Sequence, residues 1–95
     1  MMRDARFYFA NLGADASRCM SAMREGDEER YQDSLERGYQ TLDYLQHSER
    51  PEAYEEGLLM LRGVALAHED PALRAGLERD LPALISPYVT QRSTL

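Results

Sequence analysis

Hydrophobic residues along the chain recur at alternating spacings of four and three residues. That spacing keeps the residues on one side of a helix, so it indicates a buried helical stripe. Such a stripe extends over three heptads and predicts a first helix from about Asp4 to Glu25. Gly26 should end this helix, because glycine is typical of helix C-caps. The stripe consists of Ala5, Phe9, Leu12, Ala16, Cys19 and Met23.

The same spacing returns in the next segment and predicts a second helix from about Glu28 to Gln46. Asp27 precedes it as an N-cap, and acidic residues follow where the helix dipole favours negative charge. Because only a residue or two separates the two helices, they should be antiparallel neighbours. The stripe of this helix consists of Tyr31, Leu35, Gly38, Leu42 and Leu45.

The most apolar run of the chain predicts a third helix from Pro51 to near His68. Its width indicates a central helix that touches neighbours on more than one side. The predicted core positions are Tyr54, Leu58, Leu61, Val64 and Ala65, and the flanking positions that widen the stripe are Leu59, Met60 and Leu66.

A fourth helix should begin after Asp70, which precedes Pro71 in the pattern of an N-cap and a first helical residue. Pro82 should kink this helix or divide it, and Pro87 should end it. The sequence therefore predicts an all-α fold: a small antiparallel four-helix bundle, up-down-up-down, whose last helix is short or kinked at Pro82. Its length of 95 residues fits a single helical domain over residues 1–95.

Charge and composition narrow the range of partners. The chain has 17 acidic and 11 basic residues and a net charge of −6. An acidic surface of this kind argues against binding to DNA or to an anionic membrane. The N-terminus lacks the apolar region of a signal peptide, and no apolar run reaches the roughly 18 residues needed to span a bilayer. We therefore expect a cytoplasmic protein.

Residues that could hold a metal or carry out nucleophilic chemistry are sparse. Cys19 is the only cysteine, and a buried thiol acting as a small hydrophobe is the simplest interpretation. Asp43 and His47 have a chelating spacing, but His68 lies at the far end of a third helix about 25 Å long. We therefore expect no metal site and no cofactor.

Several large apolar residues lie outside the predicted stripes. Contiguous apolar surface on a protein of this kind usually marks an interface, which predicts a non-catalytic protein-interaction module that forms a homodimer or binds another protein. In the competing interpretation, residues 81–89 fold back over these side chains within one chain. The predicted interface residues are Phe7, Tyr8, Met20, Leu59, Met60 and Leu66.

An arginine, five intervening residues and a histidine, Arg62 and His68, lie near the end of the third helix. This pair resembles the Arg-x4–6-His motif of the HEPN family, helical domains some of which cleave RNA as dimers. The resemblance implies an alternative function, an RNA-cleaving ribonuclease in which Arg62 binds the scissile phosphate and His68 acts in proton transfer, or in which both orient the 2′-OH. A histidine that interacts with the C-terminal helix dipole is the structural alternative.

Overall fold

Four helices make up almost all of the part of the chain that the structure describes, residues 4–89 of a computed structural model. No strand occurs in this range, and the predicted all-α, antiparallel four-helix bundle is confirmed. The helices are α1 (Ala5–Glu25), α2 (Glu28–Gln46), α3 (Pro51–Glu69) and α4 (Arg74–Val89), with a short 3-10 helix at Pro71–Leu73 before α4.

Side chains at the helix starts account for the positions of these boundaries. The carboxylate of Asp4 accepts a hydrogen bond from the first turn of α1, and that of Asp27 does the same for α2. Asp70 caps the 3-10 turn by accepting from the amide of Ala72. Each interaction satisfies an amide that has no partner within its own helix, so the sequence signals and the observed starts agree.

Contacts between helices establish their directions. Tyr8, near the start of α1, stacks on Tyr44, near the end of α2. Phe9 of α1 stacks on Tyr88 near the end of α4. Early residues of α1 thus meet late residues of both neighbours, as in an up-down-up-down bundle.

The centre of the bundle is α1 rather than α3. Both helices contact all three others, as predicted for α3, but α1 contributes more buried residues than any other helix. Its predicted stripe from Ala5 to Met23 is buried along its whole length. At Gly13 a methyl group would lie 2.7 Å from Ile85 Cδ1, so the glycine lets α4 pack directly on the backbone of α1.

The buried face of α3 is rotated relative to the predicted one. Tyr54, Leu58 and Ala65 are only partly buried. At Gly57 a methyl group would lie 2.5 Å from Leu12 Cδ2 and 2.9 Å from Leu42 Cδ2, so the glycine lets both side chains approach the α3 backbone on this rotated face. The buried residues of α3 are Ala53, Gly57, Met60, Leu61, Val64 and Ala67.

The last helix is the shortest of the four at 16 residues, and it contains both prolines. Pro82 does not divide it, and the prediction that Pro87 ends it is wrong, since the helix continues to Val89. Both prolines are exposed, so the hydrogen bonds that they remove are lost on the outer side of the helix, away from the core. None of the helices between residues 4 and 89 is long and apolar enough to cross a membrane.

Candidate functional site

The outer face of α3 carries two exposed leucines. Leu59 is 60% exposed and Leu66 is 59% exposed, although Met60 and Leu61 beside them are buried. The two leucines are seven residues apart, which places them on one face about two turns from each other. Arg62, also exposed, lies between them. We call Leu59, Arg62 and Leu66 the outer face of α3.

Two of the residues predicted for the interface are instead part of the core. Met20 is 2% exposed and Met60 is 3% exposed, so neither can meet a partner. Met20 is covered by α4, whose Leu81 and Ile85 lie beside it. The spacing along α1 allowed for one neighbouring helix, whereas α1 has three, and a wider set of its residues is therefore buried.

The other two predicted residues on α1 belong to an aromatic cluster with α2. The rings of Tyr8 and Tyr44 stack with centroids 5.1 Å apart, and Phe7 meets the edge of Tyr8 at 5.4 Å. Phe7 remains exposed and Tyr8 is partly buried. Of the six residues predicted for an interface, Leu59 and Leu66 therefore have the most accessible side chains.

Arg62 and His68 do not come together within one chain. Six residues turn a helix through about 240° beyond one full turn, so the two side chains lie on different faces of α3. His68 Nε2–H donates to Glu28 Oε1 at 2.8 Å, and the imidazole stacks on Tyr31 with ring centroids 3.8 Å apart. The guanidinium of Arg62 makes no hydrogen bond or ion pair with any residue between 4 and 89.

The groups around His68 have their own electrostatic environment. The hydrogen bond from His68, with a second from Gln32, lowers the pKa of Glu28. Burial raises the pKa of Tyr31 to about 12, so its phenol stays neutral at physiological pH. The imidazole of His68 thus joins the end of α3 to the start of α2.

The cysteine and the other histidine take part in structural contacts. Burial raises the pKa of the Cys19 thiol to about 12, and its Sγ lies 3.8 Å from the carbonyl oxygen of Tyr31. A thiol with such a pKa is not a nucleophile at neutral pH. His47 Nδ1 lies 3.0 Å from the backbone oxygen of Asp43, not from its carboxylate. Among residues 4–89 no three potential metal ligands cluster.

A polar groove between α1 and α2 has no counterpart in the sequence-based predictions. Asp15, only 2% exposed, accepts a hydrogen bond at 2.8 Å from Arg18 Nη1. Burial raises the pKa of Asp15, although the charges of Arg18 and Arg37 oppose that shift. The only sequence signal for this groove is a spacing of seven residues, which places two residues on one face of a helix. Tyr8 and Asp15 have this spacing on α1, and Arg37 and Tyr44 have it on α2.

Comparison of the chain with protein-family models, with curated proteins and with solved structures finds no significant match. Function is therefore inferred from the residues of this chain alone.

Proposed function

We propose that the protein is a non-catalytic interaction module that forms a homodimer through the outer face of α3. The observation that carries this proposal is the pair Leu59 and Leu66, each about three-fifths exposed on one side of one helix. Fully burying a leucine contributes roughly 1.5–3 kcal/mol, so pairing these side chains with apolar groups is favourable. The methylene groups of Arg62 extend the apolar surface between them.

The charges along this face favour a second copy of the chain as the partner. Acidic residues lie at both ends of α3, and its exposed centre is basic. A two-fold axis at Leu59 sets this leucine against its own copy in an antiparallel helix pair. Arg62 then lies beside the partner subunit's Glu56, and Leu66 lies beside the partner subunit's Glu52. Both contacts occur twice, so one surface complements itself in charge.

Sedimentation equilibrium at micromolar concentration tests the dimer. We expect the wild-type chain to sediment with twice the monomer mass and the double variant Leu59→Ser/Leu66→Ser to sediment as a monomer. The matched control is Leu73→Ser/Leu84→Ser, which replaces two other exposed leucines and should remain dimeric. A wild-type chain of monomer mass would refute the proposal, and so would a double variant that stays dimeric.

A cysteine introduced at position 59 tests the position of the two-fold axis. Cys19 is the only cysteine of the chain and is fully buried, so the new thiol would be the accessible one. Mild oxidation of the Leu59→Cys variant should give a disulfide-linked dimer, whereas Leu84→Cys on α4 should stay uncrosslinked. The reverse result would place the interface on α4.

The alternative function, RNA cleavage by Arg62 and His68 as in the HEPN family, makes a different demand. The two side chains lie on different faces of one helix, so such a site would need residues from two subunits. A metal-free RNA cleavage assay that compares wild type with Arg62→Ala and His68→Ala distinguishes the two functions. We expect that neither the wild type nor either variant cleaves RNA. We also propose that the interaction module needs no cofactor and acts in the cytoplasm. Cleavage lost in both variants would establish the ribonuclease instead.

A further inference from the structure

The groove between α1 and α2 has an aromatic end, a polar middle and a charged end, and its volume is about 340 Å³. Antiparallel packing sets Tyr8 opposite Tyr44 at the aromatic end. One turn further along, Asn11 of α1 and Thr41 of α2 line the middle. None of the residues that line the groove belongs to the outer face of α3, so the groove is a separate surface from the proposed dimer interface.

The aromatic end offers a ring surface to a ligand. Tyr44 stacks on Tyr8 with the two ring planes only 10° apart, so one face of Tyr44 is covered by protein. The residue is nevertheless 59% exposed, which leaves its other face accessible from the groove. Phe7 packs edge-on against Tyr8 with their planes at 76° and holds the stack in place. A planar ring can therefore stack here on a surface that is already ordered.

The charged end carries a guanidinium that has no carboxylate bound to it among residues 4–89. Asp15 neutralises one guanidinium by its hydrogen bond with Arg18. Arg37, which also lines the groove, is exposed and makes no hydrogen bond or ion pair through its guanidinium within residues 4–89. The groove lining therefore holds two arginines and one carboxylate, and Asp33 and Glu36 lie beside Arg37 without pairing with its guanidinium. A guanidinium with its donors free matches a carboxylate, sulfonate or phosphate group.

We propose that this groove binds a small planar aromatic anion, with the ring stacked on Tyr44 and the anionic group paired with Arg37. Tyr44 and Arg37 are seven residues apart on α2, about 10 Å along the helix axis. A ligand of two aromatic rings with an acidic substituent spans that distance.

Two dyes that differ by one charged group test the proposal on the full chain. Anilinonaphthalene sulfonate is an aromatic anion with a planar naphthalene ring, and its fluorescence rises on binding. Phenylnaphthylamine is its uncharged counterpart. The chain contains no tryptophan, so protein fluorescence does not interfere with the measurement. We expect the sulfonate to bind at least about tenfold more tightly than the uncharged dye, a difference of about 1.4 kcal/mol.

Matched variants locate the binding. Arg37→Gln and Tyr44→Ala should each weaken sulfonate binding about tenfold, whereas Arg79→Gln and Tyr39→Ala, at exposed positions outside the groove, should leave it unchanged. Arg37→Gln should not alter binding of the uncharged dye, because that dye lacks the group which Arg37 contacts. All four variants should keep the sedimentation mass of the wild type, so the result is independent of the proposed dimer.

Several results would overturn the proposal. Equal affinity for the two dyes would remove the role of the anion, and an unchanged affinity in Arg37→Gln would remove the role of Arg37. Sulfonate binding that persists in Tyr44→Ala would remove the stacking surface. Binding abolished by Leu59→Ser/Leu66→Ser but not by the groove variants would assign the fluorescence to the outer face of α3.

Discussion

Asp15 is a carboxylic acid in a position that is almost closed to water. Its side chain is 3% exposed, and the hydrogen bond from Arg18 only partly replaces the water that the ionised group loses. Burial therefore raises its pKa above the usual value, and the charges of Arg18 and Arg37 limit the rise. The folded chain thus binds a proton at Asp15 more tightly than the unfolded chain does.

This difference gives the free energy of unfolding a defined pH dependence. The free energy of unfolding falls as pH rises through the range in which the folded state binds more protons than the unfolded state. For Asp15 this range extends from the ordinary aspartate pKa of 3.8 up to the raised pKa of the folded state. In the variant Asp15→Asn this contribution is absent, and the amide oxygen can still accept from Arg18. We expect the variant to become more stable relative to wild type as pH rises from 3 to 7, as measured by urea unfolding.

Asp33→Asn is the matched control, because Asp33 is an exposed acid on α2. Its stability relative to wild type should stay nearly constant over the same pH range. A pH-independent difference between Asp15→Asn and wild type would show that the environment of Asp15 does not disfavour its charge.

At the scale of single residues, the sequence could not have singled out Asp15. An acidic residue in a helix is typical of a solvated face, and the burial of Asp15 arises only when α2 packs alongside α1. The same holds for Met20, which α4 covers. Both residues lie beside the stripe that the spacing identified, and their burial depends on how many helices surround α1.

Among the helices, the turn between α1 and α2 is the boundary with the strictest backbone requirement. Gly26 has a φ of +68°, and its N–H donates to the carbonyl oxygen of Met23. The amide of Asp27 closes the turn by donating to Ala22 at 2.9 Å. This left-handed conformation suits glycine because any side chain would be strained there.

Replacing Gly26 with alanine should destabilise the protein by roughly 1–2 kcal/mol, the cost of a left-handed conformation for a residue with Cβ. No atom lies within 4 Å of the added methyl group, so the backbone alone accounts for the effect. The control is Gly76→Ala inside α4, where the methyl group meets Arg79 at an ordinary 3.6 Å. Urea unfolding should show this control to be stabilised by about 1 kcal/mol. Equal effects of the two substitutions would contradict the role of the turn.

The helices themselves could largely be predicted because their ends depend on local signals. Asp27 and Gly26 act within a turn of their own positions, and the observed bounds of α2 are those predicted. The end of α4 was not predictable in this way. Its passage through Pro87 depends on packing of Tyr88 against Phe9 of α1, a contact between residues far apart in the sequence.

In the whole molecule, the outer face of α3 and the groove between α1 and α2 were harder to predict than the fold. Each surface depends on how helices that are distant in the sequence pack against one another. The outer face of α3 is exposed because α4 packs on α1 and on another side of α3. The spacing of apolar residues predicted that Leu59 and Leu66 lie outside the core, but it predicted the same for Met60, which is buried. The groove required the register of α1 against α2, which is fixed by side-chain packing along both helices.

The last prediction concerns α4 as the cover of the bundle. Leu81 is buried, Ile85 rests on Gly13, and Tyr88 stacks on Phe9 with centroids 4.5 Å apart. Each large apolar side chain transferred from water contributes roughly 1.5–3 kcal/mol, and a domain of this size has a total stability of about 5–15 kcal/mol. A chain that ends after Asp80 should therefore lose most of its stability.

Thermal unfolding followed by far-UV circular dichroism measures this loss. A chain that ends after Val89 is the matched control, because it keeps α4 from Arg74 to Val89, and it should melt close to the wild type. The chain that ends after Asp80 exposes Met20 and Phe9 to water, so its melting temperature should fall by tens of degrees or its helices should be absent at room temperature. Equal melting of the two shortened chains would show that α1, α2 and α3 form a complete core without α4, and the packing of α4 on Gly13 would then add little to folding.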